Sequence, residues 1–167
     1  MLEKIEKTIG RLVDGMGLVL AIVLLLMVVN VSYDVLMRYM FRNSSVGMQE
    51  MEWHLFSFVI LYGVGVALRH EGHVRVDVVY DRLSVRHKAI INVLGTVLFL
   101  VPLSLFIMFG SIDYVRDAYV AKEISEDPGG LPFRWIIKSM IPLSFGFLLI
   151  SATGYVIQNI QRIGRGK

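Results

Sequence analysis

Four long stretches of this chain carry no Asp, Glu, Lys or Arg, and its charges gather between them. They are residues 15–33 (19 residues), 53–68 (16), 89–112 (24) and 139–161 (23). A hydrocarbon core about 30 Å thick needs about 20 apolar residues in helical form. Three stretches satisfy that by length. The second does so if its helix starts near Val46, which leaves Glu50 and Glu52 close to the interface. A helix of a soluble bundle would show a polar stripe, and "LVLAIVLLLMVV" (18–29) has none. The pattern predicts an all-α integral membrane protein with one membrane domain over 1–167. Its four transmembrane helices fall at about 13–36, 47–69, 88–113 and 134–160.

Composition agrees with this reading. Hydrophobic residues make up 55% and charged residues 19%, against about 25% charged in ordinary soluble domains. Mean hydropathy is +0.62. The first apolar run exceeds the roughly 7–15 residues of a signal-peptide core, and no small-x-small cleavage site precedes Asp34, so an uncleaved helix is expected. The absence of cysteine excludes disulfides, thiolate chemistry and haem attachment through Cys. The net charge of +3 reads as basic loops of a membrane protein, with no nucleic-acid partner implied.

Charge placement predicts orientation. Of the 17 Lys and Arg, three lie in the N-terminal tail, five in the second loop and three in the C-terminal tail. The first and third loops hold two and four. An even number of spans puts both tails and the second loop on one side, eleven positive charges against six. The positive-inside rule assigns that side to the cytoplasm. Residues 70–87 become a cytoplasmic interfacial segment and 114–133 a periplasmic loop.

Several local features bear on the architecture. Leu2, Ile5, Ile9 and Leu12 recur at helical spacing, as either a helix on the membrane surface or an extension of the first span. Asp34 and Arg38 stand four apart and can pair on one helix face. Gly63 and Ala67 form a small-xxx-small step that would admit a neighbouring helix. Pro102 and Pro142 predict kinks. No inverted repeat relates the two halves, so the usual mark of a self-sufficient carrier is missing. Residues 113–138 hold five acids and four bases. Within them Pro128–Gly129 suits a type II turn, and Pro132 suits the opening of the last helix. Tyr114, Tyr119, Phe133 and Trp135 fit an interfacial aromatic belt.

Candidate chemistry is sparse. His54 and His70 are about 24 Å apart along a helix, so one metal cannot join them. His73, Asp77 and Asp81 would share a helical face, where surface His–Asp pairing is commoner than a cation site. "HVRVDV" (73–78) alternates like a half-buried strand; since a lone strand cannot exist in lipid, it is placed at the interface. Glu50 and Glu52 have no nucleophile or phosphate-binding loop facing them. No Asp, Glu, Lys or Arg lies near mid-membrane, where proton relays and ion carriers usually place one. No enzyme activity is expected, and an accessory subunit is.

"RYMF" after the first span, "QEMEWHLF" entering the second, "ALRHEGHVRVDVVYDRLS" after it and "EISEDPGGLPFRWIIKSMIP" into the fourth occur in order over nearly the whole chain. With these pieces the sequence resembles the small membrane (DctQ-type) subunit of tripartite ATP-independent periplasmic (TRAP) transporters. The resemblance implies a bacterial inner-membrane system of three proteins. A periplasmic solute-binding protein captures a small organic anion. A separate, large, multi-spanning carrier moves it as an elevator and holds the sodium sites, so this chain itself needs no cofactor. The small subunit enlarges and anchors the carrier's static scaffold. Candidate contacts with the partners or with lipid are Arg38, Glu50, Trp53, Glu123, Trp135 and Lys138 on the outer side. On the inner side they are Arg69, His73, Arg75, Asp77 and Arg82. The competing reading is a cytochrome b-like membrane anchor of a redox complex, using the histidines.

Overall fold

The computed structural model describes residues 2–70, 80 and 83–165, and all regular structure among them is helical. The helices are α1 (Leu2–Phe41), α2 (Val46–Arg69), α3 (Val85–Gly95), α4 (Val101–Gly110), α5 (Ile112–Val120) and α6 (Arg134–Arg165). A π-helical turn, Thr96–Leu100, joins α3 to α4, and Val85–Val120 forms one rod of 36 residues. This rod, α1, α2 and α6 are each long and apolar enough to cross a membrane. Four crossings bring both chain ends to one end of the molecule, called here the terminal end. The connections 42–45 and 121–133 lie at the other, the loop end.

α1 resolves the choice left by its first twelve residues: they extend the span. Its 40 residues amount to about 60 Å at 1.5 Å per residue. Ile9 meets α6 at Gly154, and Gly10 lies under the guanidinium of Arg69. Val13 is fully buried. At the other end of α1, Asp34 pairs with Arg38 as its spacing predicts. At the end of the third rod, α5 continues the helix to Val120. The loop before α6 is therefore 121–133 rather than the expected 114–133.

The expected kink at Pro102 takes the form of the π-helical turn just before it. Proline has no N–H, and its ring presses on the carbonyl four residues back, here that of Leu98. Widening one turn relieves that crowding. Pro142 lies inside α6 without ending it.

α6 is the axis of the molecule. It packs against α1, α2 and the whole α3–α5 rod, and α6 is the rod's main neighbour. One apolar cluster joins Val13, Leu20, Tyr62 and Phe147 across α1, α2 and α6. A second joins Leu68, Leu148, Ala152 and Tyr155. The most deeply buried side chains include Ser104, Ser144, Ser151 and Asn159, while Leu25, Phe99 and Phe106 are 67%, 75% and 78% exposed. Small and polar groups face inward because lipid solvates large apolar ones as well as a protein core does.

The close helix approach predicted at Gly63 and Ala67 occurs at Gly65 instead. A Cβ on Gly65 would stand 2.7 Å from the Phe147 ring and 3.1 Å from Ser151 Oγ. A Cβ on Gly63 would find its nearest neighbour, Leu20, at 4.0 Å. The two glycines are two residues apart and so lie on different sides of α2. The sequence pattern marked small residues but not which of them faces α6. Gly65→Ala is expected to lower the free energy of unfolding in detergent by about 1–3 kcal/mol, through overpacking against Phe147. Gly63→Ala, whose Cβ has room, should leave it unchanged or raise it by up to about 1 kcal/mol. Equal effects in a denaturant titration would contradict the observed contact.

Candidate functional site: a carboxylate-centred latch at the loop end

The turn chemistry of 121–133 builds the site. α5 ends with Lys122 at φ 48°. Glu123 N–H donates to Ala118 O at 3.0 Å and Lys122 N–H to Tyr119 O at 3.2 Å, a Schellman closure. The chain then folds back on itself. Ser125 N–H bonds Leu131 O at 3.2 Å, and Gly130 N–H bonds Asp127 O at 3.0 Å. Gly129 sits at φ 84° in that inner turn, as the type II reading of Pro128–Gly129 requires. Arg134 N–H returns to Glu123 O at 3.0 Å, placing the start of α6 beside the end of α5.

Glu50, one turn into α2, projects into this fold and is only 5% exposed. Oε1 accepts from Ser125 Oγ at 2.5 Å and from Arg134 Nη2 at 3.1 Å. Oε2 accepts from the Leu131 N–H at 2.5 Å. A buried carboxylate is costly unless paired and hydrogen-bonded, and here both oxygens have donors from a side chain, a backbone and a guanidinium. Gly130 lies so close that a Cβ there would stand 2.9 Å from Glu50 Oε2 and nearer still to Ser125.

A second ion pair lies alongside. Lys138 Nζ meets Glu123 Oε2 at 2.5 Å and sits 4.0 Å from the Tyr114 ring centroid. Aromatic side chains frame both pairs. Arg134 lies over Trp53 at 5.9 Å, and Tyr119 meets Trp135 edge-on at 5.5 Å. Glu50, Trp53, Glu123, Trp135 and Lys138, five of the residues picked from sequence, thus form one cluster. Their charges are engaged within the chain. Arg38 belongs to the same end of the molecule but bonds Asp34. Arg69 is at the terminal end and faces α1, with Nη1 at 3.1 Å from Glu6 and Nε at 3.2 Å from Asp14. His73, Arg75, Asp77 and Arg82 lie outside the described residues.

Sequence reasoning missed the partners of Glu50: Ser125, Leu131 and Arg134 lie 75 to 84 residues away, and no local spacing links them. It also missed a polar ladder at the terminal end. Tyr80 Oη donates to Asn92 Oδ1 at 3.1 Å, and Asn92 Nδ2 to Asn159 Oδ1 at 3.1 Å. Asn159 Nδ2 then donates to Tyr155 O at 2.9 Å. Here a signal existed, since amide side chains inside apolar spans commonly bond across helices. Among the described residues, no three His, Cys, Asp or Glu side chains gather as metal ligands. His54 Nδ1 contacts Glu50 O at 2.6 Å, His70 Nε2 contacts Asp14 at 3.3 Å and His87 Nδ1 contacts Ser84 Oγ at 2.8 Å.

Four apolar spans with exposed apolar faces, and ion pairs near their ends among the described residues, define a multi-pass integral membrane protein. Comparison with known proteins gives the family. Residues 27–162 match the DctQ component of the tripartite ATP-independent periplasmic transporters, and the chain belongs to that family as a non-enzymatic small permease subunit. It is 29% identical over 157 residues to the ectoine TRAP transporter small permease protein TeaB of Halomonas elongata, covering 93% of this chain and 78% of that protein. It is 28% identical over 107 residues to the isethionate TRAP transporter permease protein DctMQ of Oleidesulfovibrio alaskensis. That match covers 64% of this chain but 16% of the relative, in which the small and large permease components are fused. No solved structure matches.

If Glu50 organises the loop, Glu50→Ala should accelerate hydrogen exchange at the Leu131 amide by about tenfold or more, the scale of one lost hydrogen bond to a charged group. Exchange in the middle of α1 should stay unchanged. Continued protection of Leu131 would show that the loop holds without the carboxylate.

Proposed function

We propose that this chain is the static accessory subunit of a sodium-coupled TRAP transporter in a bacterial inner membrane, importing a small organic anion. It assembles with a large elevator-type carrier subunit, and the complex receives solute from a periplasmic binding protein. Both termini face the cytoplasm, following the eleven-to-six charge asymmetry, and the latch faces the periplasm. The sodium and substrate sites belong to the carrier.

The observation that carries this reading is the disposition of charge. The described ionisable groups of the spans lie toward the ends, and several are tied to neighbours: Asp34 to Arg38, Glu50 to Arg134, Lys138 to Glu123 and Arg69 to Glu6 and Asp14. An ion or anion pathway through the bilayer needs polar or charged groups lining its middle. A chain that fastens its charges at both interfaces is suited to standing still. An elevator needs such a part, since the moving domain must slide against something fixed. The relative fused to its large permease component supports a lasting association of the two.

The test is recovery of the tagged chain from its native membrane in mild detergent. A large multi-spanning carrier is expected in stoichiometric yield, and deletion of this chain should abolish uptake. Recovery with redox subunits, or uptake that survives deletion, would overturn the proposal. Glu50→Lys places a cation beside Arg134 and is expected to reduce both complex yield and uptake to a small fraction of wild type while membrane insertion persists. Normal uptake with normal complex yield would remove the latch from the assembly.

A further inference from the structure

A groove of about 390 Å³ runs along the loop-end half of the molecule between α2 and α5, with α6 as its floor. It exists because α2 and the α3–α5 rod both pack mainly on α6. Toward the middle of the spans its walls are apolar: Phe56 and Ile60 from α2, about half exposed, and Ile137 and Ile141 from α6. Its mouth is different. Arg134 and Lys138 both line it, and no carboxylate does. Trp53 and Tyr114 flank them and are 40% and 52% exposed, in the manner of aromatic residues at a membrane interface. Two cations above an apolar trough complement one kind of molecule, with a negative head and a hydrocarbon tail.

We propose that this groove binds one glycerophospholipid, with its phosphate against Lys138 and Arg134 and an acyl chain along Phe56, Ile60 and Ile141. Donors remain for it. An ammonium has three N–H groups and a guanidinium five. Glu123 takes one from Lys138, and Glu50 takes one from Arg134 through Nη2. The carboxylate partners hold the two cations at the mouth without entering it. A groove of similar size, about 370 Å³, lies on the other side of α2 and is lined by Val23, His54, Phe58, Phe133 and Met140 among others. It has no cation, so the phosphate contact singles out the first groove. The site is formed by this chain alone and does not depend on the transporter reading.

The experiment uses the full chain, with whatever partners accompany it, purified in mild detergent, stripped of lipid and offered palmitoyl-oleoyl phosphatidylglycerol. Native mass spectrometry is expected to find one phospholipid held at collision energies that remove the others. Ile60→Trp fills the trough and leaves both cations in place; Lys138→Gln removes one of them. Each should cut the retained lipid by about tenfold, the scale of one charge-assisted contact. Dioleoylglycerol, which lacks the phosphate, and inorganic phosphate, which lacks the tail, should not be retained. Undiminished binding by a well-folded Ile60→Trp protein would overturn the proposal, as would equal retention of dioleoylglycerol or retention of phosphate alone. So would a photocrosslinker at position 60 that reacts with another protein instead of lipid.

Discussion

The loop end of this protein depends on one carboxylate. Glu50 enters a space that would reject a lone charge, and three donors converge to make it acceptable. Each comes from a different place: a loop hydroxyl, a loop amide and the first residue of α6. The interaction therefore does more than satisfy Glu50. It fixes the fold of 121–133 and sets where α6 begins relative to α2. Lys138 and Glu123 then repeat the arrangement one turn further along, and the aromatic rings pack around both pairs.

Between the ends, the bilayer inverts the usual logic of a core. Burial of large apolar side chains offers little in lipid, so close contact and buried small polar groups take over. Gly65 lets α2 approach Phe147, Ser104, Ser144 and Ser151 lie inside, and the Asn92–Asn159 bond joins α3 to α6. The result is a body whose shape is set by polar fastenings at two ends and tight packing in between. The static role proposed above would call for a body of this kind.

Much of the fold was legible in the order of residues, and the reasons are physical. Runs such as 89–112 can only be spans, and Asp34–Arg38 is a contact within one helix turn. Pro128–Gly129 specifies its own turn. Glu50, Trp53, Glu123, Trp135 and Lys138 were recognisable as unusual because polar and aromatic groups at the edge of apolar runs need partners. Who those partners were was not legible. Glu50 and Arg134 are brought together by the packing of α2 on α6, a long-range fact that no periodicity encodes. Gly63 and Gly65 failed to separate for the same reason, since composition marks small residues but only the helix rotation selects one. Arg69, expected to contact a partner or lipid, pairs within the chain because the long N-terminal part of α1 brings Glu6 and Asp14 to it.

The reliance of the α3–α5 rod on α6 as its main neighbour has a consequence for how the protein is made. Chains enter the membrane from the N-terminus onward. α1 and α2 can pair as soon as both are inserted. The third rod then arrives with its main neighbour still unsynthesised, and Glu50 waits equally long for Arg134. Only the last span supplies both. Assembly of this subunit is thus completed only when its final segment emerges, and a ribosome that stops short of α6 leaves a helical pair and a rod without its main support.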